Sequence, residues 1–309
     1  MKKITLLVAA VALLAACATN RNILSEKMAK YPADKYLTKV AFGQTKKDAK
    51  DAAKAELEKL FDGLPEYKDS QIRRENILSQ IKVVQWWKNK ENKRYYAIAA
   101  LQRQPALDVL VPYYSTTDGQ LNNISSKIAA EPDKFVRVKY AVMIPDLLAK
   151  RNEIDSEYRR ISFDGSAYNE EALYSFKSIY NKTFYDIKIN AVITGADDIT
   201  VKTYIIDALN ELGFGVGENL KDYDIELDMN THIDKYASNT LDGLYWSTAT
   251  ATVALKDMAT GGGIFTTFSE TERNGSSRGE EAKRRSLVAA GKKCAPVIKA
   301  KLIDYIQKK

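Results

Sequence analysis

Histidine occurs once in this 309-residue chain, as His232, and cysteine twice, as Cys17 and Cys294. The common zinc sites draw on sets of histidine and cysteine ligands, and these three residues cannot supply one. A Ser-His-Asp triad would have to rest on His232 alone, and no Gly-x-Ser-x-Gly elbow occurs. His232 stands beside Thr231 and Ile233 in an alternating stretch and reads as a surface or edge residue of a strand. Low-complexity segments and internal repeats are absent. Glycine-rich phosphate loops are also missing: Gly213-Phe214-Gly215-Val216-Gly217 follows a helical pattern and enters an extended one, the reverse of a dinucleotide cradle. Gly261 to Gly263 lies between two strand patterns and suits a hairpin. The sequence therefore predicts no catalytic residue, no metal and no cofactor.

No long hydrophobic run is present either. A spanning helix needs about 20 apolar residues, whereas the one such run, Ile4 to Leu14, is shorter and ends at Cys17. Lysine and arginine number 47 against 40 aspartates and glutamates, a formal charge of +7. Basic residues are dispersed along helical patterns rather than gathered in a stripe, so nucleic acid is not an expected partner. Hydrophobic residues make up 45% of the chain, enough with this length for two domains and connecting helices.

Lys2 and Lys3, the apolar run and the small residues Ala15 and Ala16 have the build of an export signal. Leu14-Ala15-Ala16-Cys17 resembles the bacterial lipoprotein box. The resemblance implies a diacylglycerol on the Cys17 sulfur, cleavage between Ala16 and Cys17, and a second acylation, typically by palmitate, on the new amino group. Two or more acyl chains hold a protein to a bilayer stably where one holds marginally. In lipoproteins of enteric type an aspartate after the cysteine retains the protein in the inner membrane; Ala18 stands there instead, which implies the outer membrane. With Cys17 lipidated, Cys294 has no disulfide partner and is expected on the buried side of its helix.

Residues 17 to 31 lack strong periodicity and read as a lipidated tether. From 32 to 104 the pattern is a strand at 35–43 with Tyr36, Val40 and Phe42 on one face, then a helix capped by Thr45 with Asp48 and carrying Ala49, Ala52, Ala53, Leu57, Leu60 and Phe61. A short helix near 70–79 and a hairpin of strands at 81–87 and 94–101 complete the unit. Phe42-Gly43, the alanine-rich helix, the strand with Trp86 and Tyr95-Tyr96-Ala97-Ile98-Ala99 resemble the twenty-kilodalton lipoprotein family of bacterial envelopes. That resemblance covers about a quarter of the chain and implies an envelope lipoprotein.

Residues 105 to 182 read as a helical connector, with Pro132 in a first turn and Pro145 breaking the run. The last domain, 183–309, opens on an alternating strand at 184–193. It continues with a helix through Leu212 ended by Gly213, strands at 223–236, 244–257 and 264–273, and a long helix with Ser277 and Glu280 as capping box. Leu212-Gly213-Phe214, the strand start at Asp222 to Ile225 and Trp246 before a hairpin are similar to periplasmic domains of envelope-assembly lipoproteins, such as curli-secretion lipoproteins and activators of penicillin-binding proteins. The predicted class is α+β: two small helix-on-antiparallel-sheet domains joined by a helical connector.

Two sets of residues are candidates for a site. Trp86 and Trp87, with the tyrosine pairs 95–96 and 113–114, are read as adjacent strand residues facing opposite ways, so each pair puts one ring into the core and offers the other to a partner. Glu153, Asp155, Glu157, Asp197, Asp198, Asp222 and Asp224 are the acids that a glycosidase pair would need. The expected protein is a non-enzymatic outer-membrane lipoprotein, facing the periplasm and binding an envelope protein or peptidoglycan in envelope assembly or maintenance. An activator of a cell-wall synthase and a periplasmic glycan hydrolase using paired carboxylates are the alternatives.

Overall fold

The computed structural model describes residues 17–64, 68–195, 199–239 and 243–309. The signal segment, Ala16 included, together with Asp197 and Asp198, lies outside them. The fold is α+β, and the chain divides into two compact units. One runs to Gln120 and adds Leu147–Glu170; the other takes Leu121–Asp146 and Glu171–Lys309.

The first unit begins with α1, Cys17–Met28. The expected irregular tether is thus helical, in keeping with the absence of proline and glycine from residue 17 until Pro32. Strand β1, Tyr36–Gly43, leads into α2, Lys46–Glu58. The Thr45 hydroxyl accepts from the Asp48 N–H and the Asp48 carboxylate accepts from the Thr45 N–H, each at 3.1 Å, which completes the expected capping box. Ala49, Ala53 and Leu57 recur every four residues and form the buried stripe of α2. After α3, Lys68–Leu78, strands β2, Lys82–Lys88, and β3, Tyr95–Gln102, close an antiparallel sheet in the order β1-β3-β2.

Helix α2 covers one face of that sheet. Leu37 and Ala41 of β1 and Ala97, Ala99 and Leu101 of β3 meet its stripe. Tyr36, Val40 and Phe42 share a face, as the alternation predicts, and it is the face turned away from the core. The reason is size. An alanine-rich helix approaches closely only over small residues, and at Gly43 an added Cβ would lie 2.5 Å from the Ala49 nitrogen. On β1 the bulky rings are relegated to the opposite side.

The 105–182 segment is helical, as expected, and its residues are divided between the two units. It holds α4, Arg103–Asp108; α5, Val111–Ala130; α6, Lys134–Ala141; α7, Ile144–Ile161; and most of α8, Glu170–Tyr185. Leu110, Tyr114, Ile154 and Ile161 belong to the core of the first unit, whereas residues 121–146 belong to the second. Each part is claimed by the unit in which its apolar face is buried.

The second unit is built on a mixed sheet in the order β5-β4-β6-β7-β8. Strand β4, Lys188–Thr194, pairs in parallel with β5, Gly215–Gly217, and with β6, Ile225–Asn239. Strands β6, β7, Leu244–Asp257, and β8, Gly263–Ser276, form an antiparallel meander. Phe184 and Tyr185 end α8 rather than open β4, because Phe184 packs against Phe214. Helix α9, Ile199–Asn210, is followed by Gly213 at φ +92°, as the glycine stop predicts. The last helix, α10, Gly279–Lys308, takes Arg278 as its N-cap with no side-chain cap bond, so the expected Ser277–Glu280 box is not made. Its buried residues, among them Ala290, Cys294, Ile298 and Leu302, pack over the meander, whose Ala249, Ala251, Val253 and Leu255 point the same way.

Candidate interaction surface

On the first unit's sheet, the face away from α2 carries a row of rings. The register sets Phe42 of β1 opposite Tyr96 of β3, and Tyr96 opposite Trp87 of β2. Cross-strand neighbours stand close enough for aromatic contact. Trp87 and Tyr96 stack at 5.4 Å between ring centres, and Tyr96 and Phe42 lie at 5.9 Å. Phe42 remains 53% exposed. Trp86, one residue along, points to the other face of the sheet and is 44% exposed at its edge. Neither tryptophan enters the core cluster.

Cations surround these rings. The Lys46 ammonium sits 3.8 Å from the Trp86 ring centre, Arg94 is 4.8 Å from Phe42, Lys88 5.1 Å from Tyr95, and Lys27 of α1 5.4 Å from Trp87. Such contacts contribute about 0.5–1 kcal/mol each at exposed sites. They also hold positive charge level with the rings. Trp87 Nε1 and Gln85 Oε1, neighbours on β2, are buried without a hydrogen-bond partner among the described residues. Beside this face a cavity of about 420 Å³ opens between Tyr31, Tyr36, Gln80, Val84, Ala100 and Pro105.

Tyr113 and Tyr114 lie in α5 and not on a strand, so strand alternation does not apply to them. Tyr114 is buried and Tyr113 packs against the same core. The Tyr114 hydroxyl donates to Asp155 at 2.5 Å, and burial followed by that carboxylate pushes the phenol well above its ordinary value.

The acid candidates separate into engaged and scattered groups. Arg73 donates to both oxygens of Glu157, at 2.7 and 3.0 Å, and to Glu153 at 2.9 Å. Arg151, fully buried, donates to Asp118 at 2.7 Å and Asp155 at 2.8 Å. Glu153, Asp155 and Glu157 of α7 are thus bound by guanidinium groups that sequence reasoning did not single out. Spacing gave the signal: Glu153 and Glu157 stand four apart on one helix face. In the second unit Asp224 pairs with Lys134 at 2.5 Å, and Asp222 is exposed. No group of three or more metal-ligating side chains forms among the described residues.

His232 is exposed on β6 and meets Asp234 at 2.9 Å. The open face of the second sheet holds a groove of about 600 Å³ lined by Asp234, Trp246, Thr248, Thr250, Thr271 and Arg273. Its polar groups bind one another: Thr250 donates to Asp234 at 2.6 Å and shares a bond with Thr271 at 2.7 Å, and Arg273 covers the Trp246 ring. Cys294 is buried with its sulfur 3.8 Å from the Ala251 carbonyl oxygen, and burial pushes the thiol up to about 12. No described helix is long and apolar enough to cross a membrane.

No protein-family model matches the chain, and none of the curated proteins matches it in sequence. The resemblance of residues 32–104 to the twenty-kilodalton lipoprotein family rests on the residues named for it. Solved structures similar to the chain include a secreted protein, HP1454, from Helicobacter pylori, at TM-score 0.33 and 15% identity over 87% of this chain and 98% of that one. A minor lipoprotein from Acinetobacter baumannii matches at TM-score 0.28 and 14% identity, over 37% of this chain and 92% of that one. The rare lipoprotein B from Shewanella oneidensis matches at TM-score 0.23 and 10% identity, over 39% and 94%.

Proposed function

We propose that this chain is a non-enzymatic lipoprotein of the bacterial envelope, held by acyl chains on Cys17 at the periplasmic face of the outer membrane, where its α+β units bind an envelope protein or peptidoglycan. The observation that carries the reading is Leu14-Ala15-Ala16-Cys17 after a basic, apolar leader too short to span. Ala18 in place of an aspartate supports the outer membrane as destination.

The state of the acids supports a binding role over glycan hydrolysis. Glycosidase chemistry needs a protonated acid and a second carboxylate set about a sugar, and Glu153, Asp155 and Glu157 each face a guanidinium instead. Exposed rings ringed by cations are a more usual feature of a docking surface.

Intact-mass spectrometry of the mature N-terminus, with membrane fractionation, tests the anchor. Cys17 should be the first residue and carry the lipid, and Cys17→Ser should leave an uncleaved or soluble precursor. An unmodified, freely diffusing product would end the reading. Crosslinked pull-down from envelopes tests the binding role, which fails if the chain recovers neither a protein nor wall fragments.

A further inference from the structure

We propose that the tip of the β2–β3 hairpin and the rings beside it rest on the anionic phospholipid surface of the bilayer that holds Cys17. This inference rests on the anchored reading above. Three observations carry it.

The first is charge. Residues 82–94 hold Lys82, Lys88, Lys90, Lys93 and Arg94 against the single acid Glu91, and Lys88, Lys90, Lys93 and Arg94 are all exposed. Clusters of basic residues are drawn to anionic leaflets. The open face of the second sheet, by contrast, offers Arg273 and Lys235 beside Asp234, with no such excess.

The second is the kind of apolar surface at that tip. Trp86 and Phe42 expose ring area on the two faces of the hairpin end, and Tyr95, Tyr96 and Trp87 stand next to them. Tryptophan and tyrosine favour the headgroup level, where a ring meets hydrocarbon and a polar edge meets water. The charged groups of Lys46, Lys88 and Arg94 sit over the Trp86, Tyr95 and Phe42 rings, so positive charge and ring area are presented together.

The third is reach. Helix α1 begins at Cys17, and its Lys27 touches the Trp87 ring. Ten residues of α-helix rise about 15 Å, so the ring row is tied to within a few nanometres of the acylated residue by an ordered element. Electrostatic attraction to a leaflet decays over about 8 Å at physiological salt. The anchor delivers the hairpin to the region where its charge and rings can act.

The test uses the mature, lipidated protein with Trp246→Phe, so that emission comes from Trp86 and Trp87, reconstituted with phosphatidylcholine vesicles with or without phosphatidylglycerol. Brominated lipid should quench the emission, more strongly with phosphatidylglycerol present, and Lys88→Gln, Lys90→Gln and Lys93→Gln together should abolish that lipid dependence. Hydrogen exchange of the unsubstituted protein gives a second readout: amides 86–94 should gain protection on anionic vesicles relative to detergent. Vesicle-bound protein with unchanged emission and unprotected amides overturns the docking while leaving the anchor intact. A chain that carries no lipid and fails to sediment with vesicles overturns the anchored reading and the docking together.

Discussion

Asp257, at the end of β7, is almost wholly buried and accepts three hydrogen bonds, from Tyr305 at 2.6 Å, Lys309 at 2.7 Å and the Ala259 N–H at 2.9 Å. Burial alone would raise its pKa, but the bonds from Lys309 and Tyr305 outweigh it and hold the carboxyl below the ordinary range. A depressed folded-state pKa contributes stability that is present above the unfolded value of about 3.9 and is lost as pH falls through the folded value. Acid should therefore weaken the second unit below about pH 4. Glu226 and Glu281, whose lysine and arginine partners also lower them, share in the effect but are more exposed. Asp257→Asn removes one contributor, so its melting temperature should fall less steeply between neutral pH and pH 3 than that of the unsubstituted protein. Parallel curves would show that Asp257 is not perturbed as argued.

Among the elements, α2 and α10 show what periodicity reveals and what it hides. Thr45, Asp48 and the four-residue repeat of Ala49, Ala53 and Leu57 are local, and both the helix and its cap follow from them. Which face of β1 is covered is not local. Alternation separates Tyr36, Val40 and Phe42 from Leu37 and Ala41, but the choice belongs to a helix whose close approach demands small partners. The ring row that forms the candidate surface was hidden for the same reason, although the outward turn of one tryptophan was legible in their adjacency. Gly291 in α10 is the counterpart in the second unit. An added Cβ there would lie 2.5 Å from two atoms of the Ile205 side chain on α9, which is itself fully buried. Gly291→Ala should recover about 0.5–1 kcal/mol of helix propensity and lose about 1–3 kcal/mol to overpacking. Net destabilisation in urea unfolding is the expected outcome, and a more stable variant would show that α9 yields freely.

At the scale of the molecule, the units are discontinuous in sequence, which periodicity along the chain does not register. Residues 32–104 carry the motif-like strand, helix and hairpin, yet they do not hold a complete core. Leu110, Tyr114, Ile154 and Ile161, from outside that span, share the cluster with Ile77, Ala97 and Leu101. Truncating one buried aliphatic side chain costs about 2–5 kcal/mol, and a domain's whole stability is about 5–15 kcal/mol. Losing four such residues exceeds what the fragment can spare. Its electrostatics fail as well. Arg73 is 3% exposed and its partners Glu153 and Glu157 both come from α7, so the fragment leaves a buried guanidinium uncompensated, and breaking one such pair costs about 3–5 kcal/mol. A fragment of residues 32–104 should accordingly show no cooperative thermal transition by circular dichroism. The chain from residue 32 through 170 restores Leu110, Tyr114, α7 and both carboxylates, and should regain a transition. If the short fragment melts cooperatively at the temperature of the longer one, α7 is an accessory to this unit and not part of its core.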